Sequence, residues 1–152
     1  MIIRYLDASA RVKRYVREPG SDWIQDLFAQ QPLLACASLG YIEVMATLSR
    51  KRRGGELGQT QFDRLVQELE RDWAGFIEIR LDADTLVLAS NVVRQYALRG
   101  ADAVHLASVL LLRQHLTNRD EVLLVTADEE LKSAARASGL TVLGPAEQQA
   151  PS

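Results

Sequence analysis

The chain has 152 residues, 47% of them hydrophobic and 25% charged, the make-up of one ordinary globular domain with a real core. Eighteen Lys and Arg against twenty Asp and Glu leave a formal charge of −2, without the basic excess of a dedicated nucleic-acid binder, although a local basic patch could still grip a short backbone. The single cysteine, Cys36, excludes an intramolecular disulfide and a cysteine-based metal site, and no run approaches the roughly 18 apolar residues of a membrane span.

In chain order, Ile2–Leu6 predicts a strand. Asp7 follows it directly and breaks the apolar run that a signal peptide would need, so a reducing, cytoplasmic setting is the default expectation. Pro19-Gly20 marks a turn, and Leu33–Ala37 predicts a second strand whose apolar neighbours make Cys36 a buried, inert thiol. Three- and four-residue apolar spacing predicts helices over Leu39–Arg53 and Gln59–Trp73, separated by Gly54-Gly55. Phe76–Leu81 predicts a strand, Thr85–Leu98 a helix, and Ala101–Leu116 another after Gly100. Val122–Thr126, Glu129–Ala137 and Leu140–Leu143 complete a strand, helix, strand series, with Gly139 between the last two. Residues 145–152, with Pro145 and Pro151 among Gln and Ala, read as a loose tail, leaving a domain of residues 1–144. Short strands alternating with helices predict an α/β domain with a mainly parallel sheet of about five strands flanked by helices.

That class locates the chemistry. Ligands of an open parallel sheet bind beyond the carboxyl ends of its strands, and helices that run back across the sheet begin at the same edge. Asp7 and Asp128 follow the first and fourth strands, and Asp102 opens the helix leading into the fourth. Glu43 lies early in the helix after the second strand, on its apolar side, where a carboxylate is out of place unless paired. Taken singly, Asp7, Asp102 and Asp128 could be helix caps or first-turn acids, and Thr126 with Glu129 reads as a capping box. All four point to one edge, and that shared placement favours a site. Two carboxylates about 5 Å apart repel by roughly 3 kcal/mol at an effective dielectric near 20. Such a cluster calls for raised pKa values or a hard cation such as Mg²⁺ or Mn²⁺, and no His, Cys or Ser nucleophile stands beside it for covalent catalysis.

These residues resemble the PIN-domain family, and within it the ribonuclease toxins of VapC type. The matching blocks are Leu6-Asp7-Ala8-Ser9-Ala10; Ser38 with Glu43-Val44; Leu98-Arg99-Gly100-Ala101-Asp102-Ala103-Val104-His105-Leu106-Ala107; and Val125-Thr126-Ala127-Asp128-Glu129. They fall in family order, span nearly the whole chain to about Val142, and keep every acidic position. The resemblance implies a single three-layer PIN-like domain and endonucleolytic RNA cleavage. Asp7, Glu43, Asp102 and Asp128 would be both the catalytic acids and the Mg²⁺ or Mn²⁺ ligands. Thr126 and Ser9 would be supporting hydroxyls. A cognate antitoxin and a homodimer are further implications.

Arg50-Lys51-Arg52-Arg53 ends the Glu43 helix, either as a solvated turn complementing the dipole or as a contact to RNA phosphates. His105 reads as helix packing near the site and His115 as surface, while Trp23 and Trp73 read as core. Two other functions remain open: a non-catalytic RNA- or protein-binding module on the same fold, and a receiver- or phosphatase-like phosphotransfer domain. A receiver domain places an acidic pair before the acceptor strand, an Asp-x-Asp phosphatase needs a second Asp at position 9, where this chain has Ser9, and neither variant accounts for Glu43 and Asp102.

Overall fold

The computed structural model describes residues 1–148. Its centre is one five-stranded parallel sheet in the order β3-β2-β1-β4-β5. The strands are β1 (Ile2–Leu6), β2 (Leu33–Ala37), β3 (Ile77–Ile79), β4 (Glu121–Val125) and β5 (Thr141–Leu143). β1 lies in the middle, with Ile3 opposite Leu33 on one side and Val122 on the other.

Because parallel strands are covered on both faces, their residues alternate between two apolar clusters rather than between core and water. Ile3, Tyr5, Ala35, Ala37, Val122 and Leu124 join a cluster with Ala103, Leu106 and Val109 of helix α6 (Gly100–Gln114) and Leu131 of helix α7 (Glu129–Ala137). Leu6, Leu34 and Val125 turn to the other face and meet Ala10 of helix α1 (Ala8–Arg11) and Ile24 and Leu27 of helix α2 (Ser21–Ala29). A third cluster, including Val44, Leu48, Leu65 and Leu69, joins the long helices α3 (Ser38–Arg53) and α4 (Gln59–Ala74). Helix α5 (Ala83–Gln95) lies against α6. The fold class expected from the sequence is the one observed.

Boundaries moved by a few residues. β3 is three residues long rather than the six of Phe76–Leu81, and α5 stops before the expected Leu98 because Tyr96 adopts an extended backbone. α1, the 3-10 turn Val12–Arg14 and α2 are additions to the expected elements. A further addition corrects the expected tail. Pro145–Gln148 form a helix, α8, packed on α2, with Pro145 buried. Gly20, at φ +95°, lets the chain pass so close that a Cβ would strike Pro145, and the buried Lys132 pairs with both Glu129 and Glu147. Residues 149–152, the rest of that expected tail, lie outside the described residues. Among the described residues no helix is long and apolar enough to cross a membrane.

Candidate active site

The four acids come from four elements. Asp7 leaves the end of β1, Asp128 follows β4, Glu43 sits on the second turn of α3, and Asp102 lies in the first turn of α6. All four stand at the carboxyl edge of the sheet, because α3 and α6 both begin there.

Asp7 is 2% exposed and accepts three hydrogen bonds. Its Oδ1 takes the Ser9 hydroxyl at 2.7 Å and the Ala10 amide at 3.0 Å, while Oδ2 takes the Thr126 hydroxyl at 2.6 Å. Capping and site membership therefore coexist, since Oδ1 caps α1 and Oδ2 turns to Thr126 on β4's exit. Ser9 also accepts the Ala127 amide, and Thr126 accepts the Asp128 amide. The two hydroxyls lie 3.2 Å apart, but each has one proton and both protons are committed to Asp7. Burial raises the Asp7 pKa, opposed by His105 and by the three donors. A carboxylate has about four lone-pair directions, so one remains open, on Oδ2.

Asp102 and Asp128 are held differently. Asp128 caps α7 through Oδ1, which accepts the Leu131 amide at 2.8 Å, and leaves Oδ2 free of backbone donors. Asp102 is 7% exposed, and its pKa is raised by burial first and by the Asp128 charge second, with Arg99 opposing. Arg99, the residue at the N-cap of α6, reaches both: its Nε stands 3.4 Å from Asp102 Oδ2 and its Nη2 3.6 Å from Asp128 Oδ2.

Glu43 is tied to a buried relay. Its Oε1 lies 2.6 Å from Nε2 of His105, whose Nδ1 lies 2.7 Å from the Tyr5 hydroxyl, which in turn accepts the Ala37 amide. His105, 1% exposed, is thus more than helix packing: it fixes the Glu43 carboxylate. Gly40 permits the arrangement, because a Cβ there would collide with Cys36 Sγ and come within 3.2 Å of the His105 ring. Cys36 is the expected buried thiol, its pKa pushed by burial up to about 12. Beside it lies Arg11, wholly buried, its guanidinium 4.4 Å from the Phe76 ring and 5.1 Å from that of Trp73, with no hydrogen-bonded carboxylate among the described residues. Trp73 also lies against Tyr41 and Phe76, and Trp23 joins the α2 cluster, so both tryptophans are structural as expected.

The basic run divides. Arg50 lines a concave surface with Ser9, Glu43 and Thr47. Lys51 pairs with Glu56, and Arg52 bonds Gln59 and covers Phe62, so these two turn away toward α4. His115 is exposed and bonds the Leu111 carbonyl of its own helix.

The donor set is all oxygen, which suits a hard divalent ion. Among the described residues no three acids, histidines or cysteines are close enough to hold one ion together. A hydrated Mg²⁺ held directly by one or two carboxylates fits, since that ion commonly keeps several waters. Arg99, His105 and Tyr5 escaped the sequence reading, although Arg99 and His105 flank Asp102 at three-residue spacing, the helical signal for a shared face.

The chain is similar to known proteins along nearly its whole length. The chain is 34% identical over 143 residues to "Ribonuclease VapC45" of Mycobacterium tuberculosis, covering 93% of this chain and 95% of that one. "Ribonuclease VapC46" of the same species is 32% identical over 141 residues. Its fold is similar to that of a toxin–antitoxin complex chain from Klebsiella pneumoniae (TM-score 0.65, 19% identity, covering 93% and 97% of the two chains) and of a DNA-bound VapBC chain from Salmonella typhimurium (TM-score 0.65, 12% identity, 95% and 99%). At those identities the likeness concerns the fold alone. The PIN domain model matches residues 4–137, and the chain belongs to the PIN-domain family.

Proposed function

We propose that this chain is a metal-dependent endoribonuclease, the toxin of a toxin–antitoxin pair, acting in the cytoplasm with an acidic Mg²⁺ or Mn²⁺ site. The observation that carries the reading is the meeting of Asp7, Glu43, Asp102 and Asp128 at one sheet edge, in a chain whose 34%-identical relative is named a ribonuclease. A cognate antitoxin partner accords with the complexes its fold neighbours come from, and a homodimer is part of the same proposal.

Asp7 and Asp102 would be the direct ligands, with Asp128 and Glu43 acting directly or through water. When bound, a divalent cation supplies an activated water and neutralises charge on the phosphate oxygens. The chain's own groups do the rest. Ser9 and Thr126 hold Asp7 in one orientation, leaving one Oδ2 lone pair without a donor, and the Tyr5–His105 relay does the same for Glu43. Glu43 is the acid best placed to take a proton from an attacking water, being the one whose oxygen contacts a buried histidine rather than a hydroxyl or arginine. Arg50 offers a cation beside Glu43 for a neighbouring phosphate. A phosphoryl-acceptor role for Asp7 is disfavoured, since it leaves Glu43 and Asp102, at the same sheet edge, without a part.

The decisive experiment is induced expression of the wild type and Asp102→Asn, with sequencing of new RNA 5′ ends. New ends in the wild type alone, reproduced in vitro with Mg²⁺ and abolished by EDTA, are expected. Identical RNA ends in both strains, with no cleavage by the purified protein in either metal, would overturn the reading.

A further inference from the structure

A cation the chain itself provides, Arg99, contacts an oxygen of both Asp102 and Asp128. Asp128 spends Oδ1 on its helix cap, so Oδ2 is the oxygen left for a ligand, and that is the atom Arg99 approaches. On Asp102 it is again Oδ2 that Arg99 meets. One guanidinium therefore spans an oxygen of each carboxylate, and on Asp128 it is the oxygen that the helix cap leaves free.

The contacts are loose. They measure 3.4 and 3.6 Å, one to each carboxylate, while 78% of the Arg99 side chain is exposed. Arg14 shows what a structural pair looks like in the same protein: two contacts to a single carboxylate, Asp72, at 3.0 and 3.3 Å, with 27% exposure. Arg99 is anchored only at its backbone, in extended conformation at φ −68°, ψ 157°, on the lip of the site. A guanidinium and a divalent ion repel strongly at ligand distance, so both cannot use the same oxygens. A displaced Arg99 remains tethered at the site's rim with its five donors in solvent, free to fork onto the phosphate of a bound polyanion.

Building on the proposed nuclease function, we infer that Arg99 is a two-position arginine: it is the resident counter-ion of Asp102 and Asp128 before a divalent cation binds, and a forked contact to the substrate phosphate afterwards. It is thus a competitor of the metal and a partner of the RNA. The two roles predict opposite signs for one substitution, which a merely structural arginine would not produce.

The test compares wild type, Arg99→Gln and Arg99→Lys, each first checked for an unchanged melting temperature in EDTA. Mn²⁺ alone is titrated by electron paramagnetic resonance, without RNA. Arg99→Gln is expected to bind Mn²⁺ about threefold tighter, because it removes the competing charge. Its RNA cleavage, measured at saturating Mn²⁺, is expected to lose about tenfold in kcat/KM, with a salt slope shallower by about 0.7 for one lost contact to a single strand. Arg99→Lys keeps the charge but not the fork, so its Mn²⁺ affinity stays near wild type while cleavage still falls. Equal or weaker Mn²⁺ binding by Arg99→Gln overturns the counter-ion role, and unchanged kcat/KM overturns the phosphate contact. A wild type that binds Mn²⁺ and cleaves RNA, with both variants indistinguishable from it, sinks this inference alone. A wild type that binds no Mn²⁺ sinks the metal-site reading as well.

Discussion

Asp7 and Asp102 stand on the same sheet edge, are nearly equally buried, and have pKa values raised by the same first cause, yet their settings differ. Asp7 is firmly held: two hydroxyls and an amide bond it, and those hydroxyls are themselves fixed by the Ala127 and Asp128 amides. Asp102 is joined to Asp128, which caps α7 through Oδ1, by an exposed arginine at 3.4 and 3.6 Å. One half of the site is built to keep a single geometry; the other, on the metal-site reading proposed above, would exchange a cation. A metal seat needs both, since the rigid half presets a ligand direction and the loose half can accept an ion without first breaking strong bonds.

The sharpest way to break this comparison is at the rigid half. Asp7→Asn should reduce RNA cleavage by well over 100-fold, more than the loss of an outer partner costs. The same variant should be more stable than wild type in EDTA. A carboxyl whose folded pKa is raised contributes its stability below the unfolded value of 3.8 and loses it as pH climbs through the folded pKa, so above that pKa the buried Asp7 charge is a burden that Asn lacks. A gain of about 2–4 °C in melting temperature at pH 7, shrinking as the pH falls toward 4, is expected from calorimetry. No gain at any pH would mean that Asp7 is not strained by its ionisation.

Separating Glu43 from His105 should come next in size. Gly40→Ala must push α3 away from Cys36 and the His105 ring, and His105→Ala removes the partner outright; each should cost about 10- to 100-fold in kcat with little change in KM. Thr126→Val, which keeps the shape but deletes one donor to Asp7, should weaken Mn²⁺ binding about tenfold in a fluorescence or calorimetric titration. An unchanged affinity would show that the rigidity of Asp7 does not depend on its hydroxyls. The smallest effect belongs to the basic run. Arg50→Gln should raise KM a few-fold and flatten the salt dependence by about one phosphate contact, whereas Arg52→Gln, whose side chain covers Phe62, should leave both unchanged.

How much of this could be read in advance depends on the range of the contacts. Asp7 and Asp128 were legible because each ends an apolar strand, and the sheet class alone puts strand ends on the ligand edge. Glu43 was legible as a charge on an apolar helix face. The Glu43–His105–Tyr5 chain was not, because it depends on how closely α3 approaches α6, a distance set by Gly40 and invisible in either helix by itself. Tyr5 looked like any core residue of a strand, and its hydroxyl matters only through partners at positions 37 and 105. Arg99 was masked for the opposite reason, as an exposed arginine before a helix needs no explanation until two acids are found beneath it. The α8 docking was hidden by composition, since Pro and Gln near a terminus suggest looseness, and only the close pass of Pro145 over Gly20 says otherwise.

The parallel register of the central strand also sets the order in which danger can arise. β1 is made first but pairs on one side with β4, so Ile2 waits for Glu121, and the hydroxyl that fixes Asp7 arrives with Thr126. Such distant pairings close late in folding. A growing chain therefore carries Asp7 and Glu43 through most of its synthesis without the floor that orients them. No nascent piece ending before Asp128 can assemble the acidic edge, so the nuclease activity proposed for this chain would stay latent beside the ribosome's own RNA until nearly all of its domain has been translated.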